Sequence, residues 1–112
     1  MSKLEEKIQL YKQSSDELGL GLSESLIRSV TKGLGPVIYN EDASRVSGSD
    51  QAELDRVKTN FLIKKLGLKD GPELGAAVNE AIEKMGKSNR NKYRALIYAL
   101  LVKKFNKESV YA

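Results

Sequence analysis

Between Asp50 and Gly67 the sequence spells out one helix with both ends marked, and any fold of the chain has to accommodate it. Ser49 and Asp50 are both good N-caps, because a short side-chain oxygen accepts from the unpaired amides of a first turn. With Asp50 as cap, Glu53 stands at the third helical position and completes a D-x-x-E pattern like a capping box. Leu54, Val57, Phe61, Leu62 and Leu66 then recur at helical spacing. Lys64 and Lys65 suit the negative end of the helix dipole, and Gly67 supplies the left-handed stop. The spacing predicts a helix from Gln51 to Leu66, roughly 24 Å long at about 1.5 Å per residue.

The same reading extends to the rest of the chain. Leu4, Ile8, Leu10 and Tyr11 predict a first helix from Lys3 to Gln13, running into a loop at Gly19 and Gly21. Ser23 caps a second helix carrying Leu26, Ile27 and Val30, with Gly33 as its stop. Pro36 suits a first helical position, so Val37 to Tyr39 reads as a further helical turn, with a short extended piece as the alternative. EDASRV makes a bend or a short helical turn. Pro72 opens a helix whose stripe is Leu74, Ala77, Val78, Ala81, Ile82 and Met85, ending at Gly86. The final helix is predicted from Arg90 to Phe105 or Lys107, capped by Ser88 or Asn89, with the tail KESVYA fraying. Tyr93, Leu96, Ile97, Leu100, Leu101 and Phe105 form its stripe. Alternating strand patterns and repeats are absent. The expectation is therefore an all-α fold over residues 1–112, a single compact irregular bundle of four to five helices, with residues 1–22 and the tail from 106 least tied down.

The pattern D-A-S-x-V-x-x-S-D at Asp42 to Asp50, F-L-x-K-K-L-G at Phe61 to Gly67, and R-N-K-x-R at Arg90, Asn91, Lys92 and Arg94 together resemble an uncharacterised bacterial family, the domain of unknown function DUF2853. The resemblance covers Lys32 to Phe105. It implies an all-helical fold and carries over no activity, ligand or catalytic residue.

Composition removes several classes of function. The chain has no Cys and no His, which excludes disulfides, thiolate nucleophiles and the usual general base and metal ligand. The longest apolar run, Ala95 to Val102, is too short to span a bilayer, and the charged start MSKLEEKIQLYK lacks a secretory apolar region. A cytoplasmic location, no membrane partner and no cofactor are the expectations. Asp42, Ser44, Ser47, Ser49 and Asp50 offer oxygens, but without the carboxylate spacing of an EF-hand they read as turn and cap formers, and no metal site is expected. Tyr39, Tyr93 and Tyr98 read as core or rim aromatics, and no nucleophile–base pair can be nominated. The chain is expected not to be an enzyme.

Charge is uneven. Through Asp55 there are six Lys or Arg against ten Asp or Glu, and from Arg56 onward thirteen against five. Such asymmetry marks either a face for a partner or attraction between the two halves. At the predicted start of the final helix, Ser88, Asn89, Arg90, Lys92 and Arg94 combine free amides with cations, the elements of an anion site. The plainer reading is solvated charge, or pairing of Arg90 or Arg94 with acids of the N-terminal half. Nucleic-acid binding through this patch with Lys64, Lys65, Lys69, Lys103, Lys104 and Lys107 is possible but not favoured, because aromatics for stacking are few. The leading expectation is a protein-interaction or self-association module, with binding of an anion, phosphorylated ligand or nucleic acid as the alternative.

Overall fold

The computed structural model describes residues 2–111 and opens with α1, Lys3–Leu18. The Ser2 hydroxyl accepts from the Glu5 amide at 3.1 Å and caps its start. The helix runs past Gln13, where the sequence predicted its end. Lys12 pairs with Asp16 at 2.6 Å and Gln13 donates to Glu17 at 3.1 Å, so SSDEL is held in helix by contacts four residues apart. Gly19, left-handed at φ 66°, then closes it. Helix α2, Glu24–Leu34, is capped by Ser23 as predicted and passes through Gly33 to stop at Gly35. A 3-10 turn over Gly35–Tyr39 follows and buries Ile38, in line with the helical reading of Val37 to Tyr39.

Helix α3 begins where predicted. The Asp50 carboxylate accepts from the amides of Ala52 and Glu53 at 3.0 and 3.4 Å. Regular α geometry lasts only over Gln51–Arg56, and Val57–Lys65 continues as a π-helix. The wider turn is visible at its end, where the Leu66 amide donates to Phe61 O, five residues back, at 2.9 Å. Leu54, Val57, Phe61, Leu62 and Leu66 are all buried, so the apolar stripe survives the change of pitch. Helix α4, Pro72–Met85, buries the six residues of its predicted stripe.

The last helix, α5, spans Arg94–Lys104 and buries seven of its eleven residues, packing against α2 and α4 and touching α1. It is apolar all round because neighbours cover it on several sides. Its start lies at Arg94 and not at Arg90, and its N-cap is Tyr93, which makes no side-chain capping bond, in place of Ser88 or Asn89. Residues ahead of Tyr93 are drawn out of helix by a long-range contact described below. Beyond α5, Glu108–Tyr111 form a 3-10 turn, and Lys65 lies 5.4 Å above the Tyr111 ring. Gly33 leaves room for that ring, since a Cβ there would sit 3.1 Å from Tyr111 Cε1. The last residue of the KESVYA tail lies outside the described residues. Among the described residues no strand forms, and the fold is an all-α compact bundle of five helices.

Candidate functional site

The 40–50 segment and the segment between α4 and α5, far apart in sequence, meet at an isolated antiparallel bridge between Arg45 and Tyr93. The Val46 amide donates to Lys92 O at 2.8 Å, and the Arg94 amide donates to Ser44 O at 2.8 Å. D-A-S-x-V and R-N-K-x-R thus become one structural unit. The Arg94 amide that would have been free at the helix start is occupied by Ser44. This removes part of the amide cradle expected there.

Two of the motif's cations turn inward. The Arg94 guanidinium donates through Nε to Ala43 O at 2.8 Å, through one terminal nitrogen to Arg45 O at 3.3 Å and to Glu53, and through the other to Tyr98 Oη at 3.2 Å. Tyr98 in turn stacks on Phe61 of the π segment, with ring centroids 3.8 Å apart. Arg94 therefore joins three elements: the 43–45 loop, the first turn of α3 and the second turn of α5. Burial pushes the Glu53 carboxyl up, but hydrogen bonds from Arg56 and Arg94 outweigh that and hold it below the usual carboxylate range. Glu53 does not complete a capping box with Asp50; its carboxylate is taken by the two arginines. Of the two readings of Arg94, pairing with an acid of the N-terminal half describes the structure.

Lys92 is 7 % exposed, and its ammonium donates to Lys87 O and Asn89 O, each at 2.6 Å. It folds back to tie off its own loop. Asn89 acts similarly at the end of α4: its Nδ2 donates to Met85 O at 2.8 Å and its Oδ1 accepts from the Asn91 amide at 2.9 Å. Gly48 lies against this knot, and a Cβ there would stand 3.0 Å from Ile82 Cγ2 and 3.1 Å from Lys92 Cε. Glycine permits that close approach.

Outside the knot the two segments enclose a groove of about 900 Å³. Val46, Leu54 and Ile82 give it an apolar lining. Its charged lining is Arg45, Lys87, Arg90 and Lys92 with Glu41, Asp42 and Glu83. Of the five residues expected to form an anion site, the groove gathers Asn89, Arg90 and Lys92; exposed Ser88 and Arg94 are not part of its lining. Arg90 is exposed and extends from the loop, not from a helix. Arg45 is the residue that sequence reasoning did not single out as functional. No local signal distinguishes it, because only the fold brings it to the same groove as Arg90.

Elsewhere the chemistry is quiet. Among the described residues no cluster of three or more Asp or Glu could hold a metal ion, and no helix is long and apolar enough to cross a membrane. Burial, with lesser contributions from Tyr93 and Tyr39, pushes the Tyr11 phenol up to about 12. Burial raises Tyr111 likewise to about 12. Among the described residues the charge asymmetry is little relieved by ion pairs between the halves: those crossing the Asp55 boundary, from Arg56 and Arg94, both end on Glu53.

The model of a family described as a protein of unknown function, DUF2853, matches residues 10–109, and the chain belongs to that family. No curated protein matches the sequence.

Proposed function

We propose that this member of the DUF2853 family is a non-enzymatic protein-interaction module, and that the groove between the 41–49 and 86–93 segments receives a segment of its partner. The observation that carries the reading is the make-up of that groove. Its volume of about 900 Å³ falls in the range of ligand clefts, and it sets apolar Val46, Leu54 and Ile82 beside charges of both signs. Val46, Leu54 and Ile82 are themselves buried, so the surface the groove offers is mainly polar and arginine-bearing, like the rim of an interface.

The test is an amide NMR titration of the full chain with pools of short peptides graded in charge. Saturable shifts on Arg45 to Gln51 and Lys87 to Lys92 with at least one pool are expected. An absence of saturable shifts there with every pool would overturn the reading.

Self-association is a second reading, favoured by the opposite charges of the two halves, few of which meet within one molecule. Light scattering against salt separates it from partner binding: a mass that stays monomeric at low salt removes it. Binding of a phosphorylated ligand or nucleic acid at Ser88, Asn89, Arg90, Lys92 and Arg94 is less well supported, because Lys92 and Arg94 donate to internal acceptors.

A further inference from the structure

Resting on the interaction reading of the groove, we infer that Arg45 and Arg90 form a two-arginine receptor for a carboxylate on an acidic peptide segment. The starting point is a census of the chain's five arginines. Arg28 holds Glu5 and Glu24, Arg56 holds Glu53, and Arg94 holds Glu53. Arg45 and Arg90 hold no carboxylate among the described residues, and both line the groove. They come from different segments, and the bridge between Arg45 and Tyr93 joins those segments beside one groove.

Arg45 adds an independent sign. Its Nε is shut off from water and has no acceptor in the protein. A buried N–H without a partner is costly, and native structures rarely keep one without a reason. A planar carboxylate matches the guanidinium fork, of which Nε is one donor.

The rest of the lining selects the kind of anion. Lys92 is tied to two carbonyls, and Lys87 lies 3.8 Å from Glu83. Four cations face three acids, Glu41, Asp42 and Glu83, so the groove suits one negative charge and offers little to a phosphate-dense strand.

The experiment titrates the labelled full chain with three peptide pools: C-terminally amidated peptides with one internal Glu, the same with Gln, and Gln peptides with a free C-terminal carboxylate. At least one carboxylate pool is expected to bind about tenfold more tightly than amidated Gln peptides, as loss of a charged hydrogen bond implies. The better of the two tells whether a side chain or a chain end is the source. Arg45→Gln and Arg90→Gln should each weaken that binding about tenfold while the amide spectrum stays folded. Arg90 is exposed, so its variant keeps the test open if Arg45→Gln disturbs the bridge. Equal binding of the amidated Gln pool in the groove overturns this inference and leaves the interaction reading intact. So does tighter, arginine-dependent binding of a short DNA duplex than of any peptide pool. No groove binding by any pool overturns both.

Discussion

Arg94 and Arg90 stand four residues apart in one basic run, and the fold puts them to opposite uses. Arg94 is turned into the protein, where it meets Ala43 O, Arg45 O, Tyr98 and Glu53. Arg90 is exposed at the groove, without a carboxylate partner among the described residues. The same division separates Lys92, pinned to Lys87 O and Asn89 O, from Lys87, which is exposed beside Glu83. A cluster of cations in sequence is thus two populations. The inner one holds two segments together, and the outer one stays at the surface.

The strongest way to break this comparison is to remove the inner arginine. Arg94→Ala would leave the Ala43 and Arg45 carbonyls and the Glu53 carboxylate without that donor, in a region where the two ion-paired side chains are 17 % and 13 % exposed. A loss of about 2–4 kcal/mol in denaturant unfolding is expected, below the largest values for fully buried pairs because some exposure remains. Lys92→Met keeps the stem and deletes the ammonium that ties off the loop. It should cost about 1–3 kcal/mol by the same measurement.

The next effect appears only in acid. Glu53 is held below the ordinary carboxylate range when folded, so the folded protein binds fewer protons there than the unfolded chain does. Its contribution is fully present above the unfolded value of about 4.3 and is lost as pH falls through the lower folded value. Stability measured down that window should fall less steeply in Glu53→Gln than in the parent. The smallest effect belongs to the outer arginine: Arg90→Gln should change stability by no more than about 0.5 kcal/mol. A larger loss would place Arg90 with the inner group and dissolve the distinction.

How much of this was legible in the sequence follows from the range of each contact. Asp50 and Ser23 cap their helices through amides two or three residues away, so local reading found both. The stripe of α4 is likewise local, and all six of its residues are buried. The start of α5 was misplaced because it depends on bonds from Ser44 and Val46, nearly fifty positions earlier in the chain. Pairing of Arg94 with an acid was foreseeable as one of two readings, but Glu53 as its partner was not. Tyr111 is ordered through Gly33 and Lys65, contacts equally remote. The π-helix had no signal, since its apolar positions read the same at either pitch. Arg45 carries no local signal, because only the fold brings it to the groove that Arg90 also lines.

Hydrogen exchange at two amides tests the division most directly. Val46 and Arg94 donate the bonds of the bridge, to Lys92 O and Ser44 O. In the parent both should exchange only through rare opening, Arg94→Ala should speed Val46 at least about tenfold, and Arg90→Gln should leave both unchanged. Free exchange of either amide in the parent, or equal acceleration by the Arg90 variant, would contradict the account.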